Sequence, residues 1–511
     1  MFTTIKLLLL RVWLRPFDLL LVLIGPHYRA FFWFFSIAPP RLIAWWGNVR
    51  ATRAVERASR RVPAYRSFLQ AASPTPADIA ALRVPETDKL NYIRAYSPDE
   101  RSVNGKMTMV DTAIDESSGS TGTPYNWVRS LKERHASHLF VSHFARYCFG
   151  REPWITINAF SMGAWATGVN MGIALQRVSI VKNTGPDLLK VFNTLEFFGT
   201  AYRYLVCGYP PFLKHIIDFA KERDFPLQDY ALMGMLGGEG NSEGLRDYLS
   251  QAFDPIYSGY GATDIEIGIA GETAISLGIR REARLNDRFR EALFGRDSRL
   301  PMVFQYNPLM HHIETNEDGE LIFTITRVNL LQPRIRYNIH DAGGVATMAE
   351  LERTAKEVGV DLRSLASGSS QKVMSLPFLW VYGRKDSTIS VMGANIYPED
   401  IEQCLYDMPE LAAVTNSFCL GLVEGSDGSD RPLFSFEVRG EIDDGMHSRF
   451  EQHMVERLRT LNADFREAYL EDADAVAPVI RLYPIGEGPF SGDKSKIKQT
   501  RLLEAERSSP D

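Results

Sequence analysis

Between Met109 and Gly278, short apolar segments alternate with amphipathic ones, and this alternation restricts the possible folds more than any other feature. The apolar segments are brief and are bounded by polar, glycine or proline residues, as buried strands are. "PWITINAF", "YRYLVCGY", "YALMGMLGGEG" and "PIYSGYGATD" are of this kind, and segments with helical spacing lie between them. Such an order is typical of a largely parallel sheet with helices on its faces. The sequence therefore predicts an α/β fold here.

The pattern changes after Leu300. "MVFQYNP" and "ELIFTITRV", with the turn "NEDG" before the second, predict antiparallel strands, and residues 347–376 are expected to be a polar insertion. From Gly383 onward, strand and helix patterns predict a compact α+β unit. Because 511 residues are too many for one core, we expect a large domain over residues 47–382 and a small one over residues 383–511.

Residues 1–46 form an apolar and basic arm. Residues 1–66 contain eleven Lys or Arg but only two Asp or Glu. A membrane-spanning helix needs ~20 mostly apolar residues, whereas Arg11, Arg15, Asp18 and several prolines interrupt every apolar run of the arm. A secretory signal is also not expected, because no small-residue cleavage site follows. The arm is therefore predicted to lie on a surface.

Two surfaces are compatible with the arm. Its aromatic rings could enter one leaflet of a membrane while its arginines meet anionic headgroups, an arrangement that this composition favours. Alternatively, the arm packs on the body of the protein or on a second subunit of a homodimer. The rings expected to enter the membrane are Trp13, Phe17, Phe31, Phe32, Trp33, Phe34, Trp45 and Trp46.

Overall charge and cysteine usage exclude some functions. With 57 basic and 63 acidic residues, the net charge of −6 does not favour nucleic-acid binding. The four cysteines are scattered without CxxC spacing, which disfavours a zinc site or a disulfide framework and fits a reducing compartment. We therefore expect a cytoplasmic protein, held at the inner face of the membrane if the arm attaches there.

The stretch "DESSGSTGTPYNW", residues 115–127, is rich in serine, threonine and glycine. Glycine lets the backbone approach a ligand closely, and a nest of unpaired N–H groups binds anions, most often phosphate. The stretch lacks the Gly-Lys-Ser/Thr ending of the phosphate loop in kinase-like nucleotidases. The pattern alone leaves two interpretations, a phosphate loop or a surface linker.

Five further segments follow in a fixed order: "GGEG", "YGATD", "IRYNIHDAGGV", "GRKDSTISVMGANIYPEDIE" and "SGDKSKIKQTRLL". Together with "SSGSTGTP" and the opening helix "VERASRRVPAYRSFL", they resemble the acyl-adenylate-forming superfamily, most closely its phenylacetate–CoA ligase-like branch. The resemblance covers about residues 47–504. It implies a large domain of mixed and parallel sheets with flanking helices and an antiparallel subdomain, followed by a small mobile α+β domain.

The resemblance also implies a reaction. In the superfamily, a carboxylate attacks the α-phosphate of ATP to give an acyl-adenylate and pyrophosphate, and a thiol then displaces AMP. Both steps gather negative charge, so the site needs cations and aligned N–H donors. ATP, Mg²⁺ and CoA are the implied cofactors, and the partners are a small carboxylic acid and CoA or a carrier protein.

Roles are carried over from the superfamily residue by residue. Thr263 contacts the α-phosphate, and Asp264 binds magnesium where most relatives have Glu, with Glu266 as a substitute. Asp341 accepts the ribose hydroxyls, since a carboxylate has two oxygens, and Arg384 faces the ribose or phosphate. The β- and γ-phosphates are assigned to Ser117, Ser118, Gly119, Ser120, Thr121 and Gly122, and the adenine side of the nucleotide to Gly238, Glu239, Tyr260 and Gly261.

The small domain is implied to carry the catalytic lysine. Of Lys494, Lys496 and Lys498, the resemblance favours Lys496 as the charge that stabilises the pentavalent phosphate. Relatives rotate this domain about the residue that matches Asp386, which brings the backbone near Gly393 to the pantetheine tunnel. On the large domain, Phe160, Trp165 and Gly237 are the candidates for the acid pocket, where aromatic side chains suit an aryl or hydrophobic acid.

Some residues depart from the family pattern. His340 stands where relatives usually have glycine, and Thr123 replaces a frequent lysine. His311 and His312 lack metal-ligand spacing and are expected to be surface or core residues. Three functions remain open: a phenylacetate-type acid–CoA ligase, an adenylating enzyme that passes the acyl group to a carrier protein or an amine, and a degenerate, non-catalytic binder of nucleotide or lipid.

Overall fold

The computed structural model describes residues 18–117, 125–295, 297, 299–384, 389–391, 394–424, 430–491 and 501–503. Ahead of the main sheet, two short strands, β1 (Thr112–Glu116) and β2 (Asn126–Ser130), form an antiparallel pair. They flank the serine- and glycine-rich stretch, so this stretch connects two paired strands. Residues 118–124 of the stretch lie outside the described residues, so the choice between a phosphate loop and a surface linker stays a prediction.

The largest sheet has eleven strands among the described residues, in the order β10-β11-β12-β13-β9-β8-β7-β6-β5-β3-β4. Its parallel half is β3 (Ile155–Asn158), β4 (Ile180–Asn183), β5 (Arg203–Gly208), β6 (Ala231–Gly237) and β7 (Phe253–Ala262). Its antiparallel half is β8 (Glu266–Gly271), β9 (Met302–Tyr306), β10 (His311–Thr315), β11 (Glu320–Ile325), β12 (Tyr337–Ala346) and β13 (Phe378–Arg384). The predicted parallel and antiparallel regions are confirmed, and they share one continuous sheet.

Helices cover the parallel half, which explains its apolar strands: six of the seven residues of β6 are buried. Local signals set the helix ends. The Ser242 side chain accepts the N–H of Leu245 as an N-cap, and Gly199 ends its helix with φ +72°. The helices of this part are Tyr28–Ile37, Pro40–Arg61, Pro63–Ala72, Pro76–Ala80, Leu131–Phe149, Ala166–Leu175, Leu188–Phe198, Pro210–Glu222, Glu243–Leu249, Ala274–Leu285, Asp287–Phe294 and Met348–Glu357.

The expected polar insertion at residues 347–376 is folded onto the body. Helix Met348–Glu357 turns Leu351 and Ala355 inward, and the short 3₁₀ turn Leu362–Ala366 follows. These residues share an apolar cluster with Ile279 and Phe289. The polar composition of this segment belongs to its outer side only.

The small α+β part is built around β16 (Thr415–Glu424), β17 (Asp430–Val438) and β18 (Val479–Pro484). Strand β17 is antiparallel to β16 and parallel to β18. Its core contains Phe434, Phe436, Phe450, Met454 and Leu458. The remaining elements are β14 (Ile389–Val391), β15 (Ala394–Ile396) and the helices Pro398–Tyr406, Pro409–Val414, Asp444–Leu461, Ala463–Glu471 and Ala473–Val476.

Buried polar contacts join the small part to the large one. The Lys214 ammonium lies 2.8 Å from the Asp218 carboxylate and donates to the Thr415 carbonyl at 2.9 Å. Arg439 approaches the same Asp218 carboxylate at 3.2 Å. The Ser242 N–H donates to the Glu402 carboxylate at 2.8 Å. The small part thus lies against the large one through charged groups that can exchange with water if the contact opens.

The described part of the arm packs on the body with one side. Phe35, Ile43 and Trp46 are at most 3% exposed and share a cluster with Leu309, Met374 and Leu376. Helix Pro40–Arg61 runs without a break through residues 46 and 47. The expectation that Trp46 enters a membrane is wrong, because its ring is buried in this cluster. Among the described residues, no helix has both the length and the apolarity needed to cross a bilayer.

Candidate active site

A cleft of about 880 Å³ opens where β6 and β7 end, and residues of the small part close its other side. In α/β sheets, ligands bind beyond the carboxyl ends of parallel strands. Gly237–Gly240 from the end of β6 and Gly259–Asp264 from the end of β7 line this cleft, as does Asp341 of β12. Three segments that the sequence analysis selected separately therefore meet in one place.

The turn after β6 requires glycine at one position. Gly238 has φ +85°, and a Cβ built there would lie 2.4 Å from the Tyr209 ring. Gly237 is less restricted, since its Cβ would only touch the Phe160 ring at 3.5 Å. The turn directs Glu239 to the cleft lining. The predicted adenine-side residues Gly238 and Glu239 thus lie at the cleft.

Tyr260 and Asp341 are hydrogen bonded across the cleft wall. The Tyr260 hydroxyl donates to Asp341 Oδ2 at 2.6 Å. Burial, together with the Asp341 charge, holds the pKa of this phenol well above its usual range, so the hydroxyl stays a donor. The Tyr260 ring packs near Phe304 and Phe323, at 5.7 and 6.2 Å between centroids. Gly261 follows at the lining, where a Cβ would approach the Glu266 carbonyl oxygen to 2.9 Å.

Asp264 has two close neighbours that were not predicted from the sequence. The Lys89 ammonium lies 3.7 Å from its carboxylate, and the Tyr337 hydroxyl donates to it at 3.2 Å. Burial, and then the Asp264 charge, raises the pKa of Tyr337. Lys89 belongs to the short π-helix Lys89–Ile93 and also lines the cleft. A single lysine outside any motif has no sequence signal that would identify it as part of a site.

The residues present fit a magnesium ion held by one carboxylate and by substrate phosphates, which is how Mg²⁺ is often bound in nucleotide sites. Asp264 would be its protein ligand, with Lys89 and Tyr337 as neighbours of that carboxylate. Within the described part of the chain, no cluster of three or more acidic, histidine or cysteine side chains could hold a metal by itself. Magnesium would supply positive charge to the phosphates.

The prediction that Glu266 could substitute as the magnesium ligand is wrong. Its side chain is 5% exposed and is engaged by Arg327 and His311, with the Ser137 hydroxyl donating to it at 2.8 Å. Although burial alone would raise the pKa of Glu266, the charge of Arg327 and the hydrogen bonds from His311 and Ser137 lower it to about 2. Glu266 is therefore bound by protein groups and is not available to a metal. His311, which is buried and contacts Glu266, is a core residue, one of the two locations expected for it.

Arg129 binds the main chain at Thr263. The Arg129 guanidinium donates to the Thr263 and Ile265 carbonyls and lies 3.0 Å from the Asp115 carboxylate. Arg129 and Asp115 are both nearly inaccessible to solvent. Since Asp115 precedes the serine-rich loop by two residues, this pair connects the strand that enters the loop with the turn that carries Thr263. Neither residue was selected from the sequence, because the link joins strands far apart in the chain.

Ser117 closes the base of the serine-rich loop. Its hydroxyl accepts the Tyr125 N–H at 3.0 Å, and its own N–H donates to the Tyr125 carbonyl at 3.0 Å. Ser117 also lines the cleft, although its side chain is buried. The loop therefore begins at the cleft. The other predicted phosphate-loop residues lie outside the described residues: Ser118, Gly119, Ser120, Thr121 and Gly122.

One end of the cleft is apolar. Phe160 packs edge-on against Tyr209 at 5.1 Å between centroids. Helix Leu131–Phe149 adds Phe140, Val141 and Phe144 to this wall. Trp165, the residue before helix Ala166–Leu175, lines the same region with Met171 and Met235. The predicted acid-pocket residues Phe160, Trp165 and Gly237 are therefore neighbours of one cavity, whereas Phe140 and Phe144 were missed because their helix gave only a weak amphipathic signal.

Arginines from both the small and the large part also line the cleft. Arg457 lines the cleft beside Gln403 and Asp407, and Arg299 of the large part lies over the Tyr397 ring at 3.9 Å. Arg384 is opposite Asp341 in the β12–β13 ladder. The remaining residues with assigned roles, Asp386, Gly393 and Lys496, lie outside the described residues, as do Lys494 and Lys498.

Solved structures of AMP-forming CoA ligases share this architecture. 2-Hydroxyisobutyryl-CoA ligase in the postadenylation state, in complex with 2-HIB-AMP, matches with a TM-score of 0.67 and 14% identity, over 92% of this chain and 91% of that chain. The same ligase with 2-HIB-AMP and CoA in the thioesterification state gives a TM-score of 0.53 at the same identity and coverage. Neither a protein-family model nor a curated protein sequence matches the chain. The large mixed sheet with its flanking helices, joined to a separate small domain, is thus the fold of the adenylate-forming CoA ligases.

Proposed function

We propose that the protein is an AMP-forming ligase that activates a carboxylic acid with ATP and transfers the acyl group to the thiol of CoA. One observation carries this proposal: Glu239, Tyr260, Asp264 and Asp341, from three separate segments, line one cleft next to Ser117. These four side chains would supply the adenine-side, metal and ribose contacts that binding of ATP needs. The ligases that share the fold form acyl-AMP and use CoA, as their structures with these ligands indicate.

The proposed chemistry has two steps. A carboxylate oxygen attacks the α-phosphorus of ATP, the bond to the β-phosphate oxygen breaks, and pyrophosphate leaves. The CoA thiolate then attacks the acyl carbon of the adenylate, and AMP leaves with the electron pair of the broken acyl–oxygen bond. Thr263 would contact the α-phosphate. Lys496 would neutralise the charge that builds on the pentavalent phosphorus, and electrostatic stabilisation of this kind is usually the largest catalytic contribution.

The acid is proposed to be aryl or otherwise hydrophobic, as in the phenylacetate–CoA ligase-like branch. Phe140, Phe144, Phe160, Met171 and Met235 surround the apolar end of the cleft. Such a wall excludes water from an uncharged acyl chain and gives a charged one no counter-ion among these five residues.

The acceptor and the rotation of the small domain are further parts of the proposal. Rotation about Asp386 would withdraw Lys496 after adenylation and bring the Gly393 backbone toward the thiol. Ion pairs and single hydrogen bonds between the two parts support such motion, because these polar groups can exchange with water. The apolar contact of Tyr406 with Tyr248, at 6.0 Å between ring centroids, would have to open as well. A carrier-protein thiol or an amine is the alternative acceptor. The domain bounds 47–382 and 383–511, a cytoplasmic location and a homodimer stay predictions.

The test is release of pyrophosphate from ATP in the presence of Mg²⁺ and a panel of acids, from acetate through phenylacetate and benzoate to long-chain acids. We expect release with the hydrophobic members and little with acetate. CoA is then added, and the thioester is measured by mass spectrometry. Asp341→Ala is the site control, and Asp229→Ala, at a distant short 3₁₀ turn, is the matched control.

Two results would count against the proposal. If no acid supports pyrophosphate release while AMP still binds, the protein is a nucleotide-binding relative without adenylation. If release occurs but CoA gives no thioester and a carrier protein or an amine gives a product, the first step stands and the acceptor is the alternative one.

A further inference from the structure

The arm has two sides with different environments. Its described segments are the helical residues 18–24, helix Tyr28–Ile37 and the first turns of helix Pro40–Arg61. On the inner side, Phe35, Ile43 and Trp46 are buried against the body. The His143 ring also contacts the Gly25 carbonyl at 2.8 Å, and Phe32 stacks on Tyr147 at 5.0 Å between centroids. These contacts fix which side of the arm is turned outward.

The outer side is apolar in all three segments. Val22 is 70% exposed and Trp33 is 64% exposed, values typical of polar rather than apolar side chains. The exposed residues recur at helical spacing, so each segment presents a stripe rather than scattered positions. The other large apolar side chains of this outer side are Leu19, Leu20, Leu23, Ile37, Leu42 and Trp45.

The charge of the outer side has one sign. Arg29 precedes Trp33 by four positions and is exposed, as is Arg41 beside Leu42. Residues 19–49 contain no aspartate or glutamate, and the preceding Asp18 forms ion pairs with Arg50 and Arg53. The first seventeen residues continue this composition with Lys6, Arg11, Arg15 and no acid. Apolar stripes flanked by arginine alone are the composition of helices that lie in the headgroup region of anionic bilayers.

We propose that the outer side of residues 19–45 is a docking surface for an anionic lipid bilayer. A second copy of the chain is a poorer occupant. A two-fold contact would place the same patch on itself, and the arginines would then approach arginines with no acid of either patch to pair with them. Anionic headgroups supply the missing negative charge, and the acyl region accepts Trp33 and Val22.

The surface lies one helix away from the cleft. Helix Leu131–Phe149 contacts the arm through His143 and Tyr147, and it contributes Phe140 and Phe144 to the apolar end of the cleft. Docking would therefore hold the acid-binding end of the protein close to the bilayer, where hydrophobic acids accumulate. The proposal is independent of the adenylation chemistry, because vesicle binding and pyrophosphate release are measured separately.

The test uses the full chain and co-sedimentation with vesicles of phosphatidylcholine, with and without phosphatidylglycerol. We expect binding to the anionic vesicles and weaker binding to the neutral ones. The double variant Val22→Glu/Trp33→Glu should lose at least about tenfold in affinity, because two apolar contacts become charged. Phe197→Glu and Leu285→Glu are the matched controls, since both side chains are more exposed than Trp33 but lie outside the arm.

The charge contribution is tested with Arg29→Gln and Arg41→Gln, each expected to weaken binding to anionic vesicles about fivefold at low salt. Arg94→Gln, at an exposed position of the body, should have no effect. Deletion of residues 1–46 is unsuitable, because it removes Phe35, Ile43 and Trp46 from a core cluster. Thermal unfolding confirms that each point variant is folded.

Three outcomes would overturn the proposal. The first is equal sedimentation of the wild type and the Val22/Trp33 variant. The second is equal binding to neutral and anionic vesicles together with unaltered binding of both arginine variants. The third is a wild-type dimer by light scattering that becomes a monomer in the Val22/Trp33 variant without any change in vesicle binding, which would assign the surface to a second copy.

Discussion

The Tyr260 hydroxyl donates a hydrogen bond to the Asp341 carboxylate at 2.6 Å, so the residue expected beside the adenine is bound to the residue expected to hold the ribose. A ribose with two hydroxyls needs acceptor positions on the same carboxylate. Nucleotide binding therefore competes with this internal hydrogen bond, or shares the carboxylate with it.

Removal of the Tyr260 hydroxyl should show whether its hydrogen bond to Asp341 competes with nucleotide binding. We expect Tyr260→Phe to bind AMP as tightly as the wild type or more tightly, because the ring remains and the hydroxyl no longer donates to Asp341 Oδ2. Asp341→Asn should bind AMP about tenfold more weakly or worse, since hydrogen bonds to a charged acceptor contribute about 1.5–3 kcal/mol. Isothermal titration calorimetry measures both, with the exposed Tyr202→Phe as control. Weaker binding by Tyr260→Phe would mean that the hydroxyl itself contacts the nucleotide.

Lys89 and Asp264 should have opposite effects on the magnesium requirement of pyrophosphate release. The Lys89 ammonium lies 3.7 Å from the Asp264 carboxylate and competes with a divalent cation for it. Lys89→Met should therefore lower the Mg²⁺ concentration for half-maximal rate, whereas Asp264→Asn should raise it by about tenfold or more. Lys106→Met, at an exposed loop residue, is the control. If Lys89→Met instead abolishes the rate at every Mg²⁺ concentration, Lys89 binds phosphate directly.

The buried Arg129–Asp115 pair should be needed for both folding and catalysis. Removal of one partner of a buried ion pair costs about 3–5 kcal/mol when the other charge is left uncompensated. Asp115 would keep the Arg134 guanidinium at 3.5 Å. We therefore expect a loss below this range in the free energy of unfolding for Arg129→Met, measured by urea denaturation, and a smaller loss still for the exposed Arg94→Met.

The rate of pyrophosphate release by Arg129→Met shows whether Arg129 positions Thr263 or only stabilises the fold. Because Arg129 also donates to the Thr263 carbonyl, pyrophosphate release should fall even at temperatures where Arg129→Met is fully folded. Arg129→Lys keeps the charge and should restore stability more than rate, since a lysine cannot donate to both carbonyls and to Asp115 in the same geometry. Equal restoration of both would argue against a positioning role.

Asp400 should make the small part less stable as the pH rises from about 4 to about 6. Burial raises its pKa from 3.8 to about 6, although the Asn462 amide donates to it at 2.8 Å. The folded chain thus holds a proton in this window that the unfolded chain releases, and its stabilising effect is present at low pH and lost by about pH 6. The difference is about 3 kcal/mol at most.

Asp400→Asn isolates this contribution. The variant should gain stability relative to the wild type as the pH rises from about 4 to about 6, because an amide cannot ionise. Urea unfolding followed by circular dichroism at several pH values measures the difference between the two proteins. A constant difference over this range would show that Asp400 keeps an ordinary pKa in the folded chain.

His340→Gly should be tolerated or slightly stabilising. His340 has φ +63°, a left-handed conformation that glycine adopts without strain. Relief of this strain, about 1 kcal/mol, offsets the greater flexibility of glycine in the unfolded chain. The midpoint of thermal unfolding measures the effect, and His340→Ala is the matched variant that should lack the gain.

Elements with strong local signals could be predicted from the sequence. Strands β5 and β6 are apolar runs that end in glycine, and Ser242 is a residue of the type that caps helices. The cleft residues Tyr260 and Asp341 could be selected because short segments around them resemble a known family. Both kinds of inference use information that lies within a few consecutive residues.

Contacts between distant segments could not be predicted in this way. Lys89 meets Asp264, and Arg129 meets the Thr263 carbonyl, only because the fold brings separate elements together. The same limit applies to Glu266, whose carboxylate has the right chemistry for a metal but is already bound by Arg327. For Trp46, the sequence identified an amphipathic arm without showing which side would face the protein.

The hydrogen bond from Ser242 N–H to Glu402 joins the small domain to a residue only two positions beyond the glycine turn that ends at Gly240. If the small domain rotates, this amide loses its acceptor and is exposed to water. The nucleotide should then be held most firmly before rotation and least firmly after it, so that departure of AMP would follow the domain movement instead of waiting for a separate event.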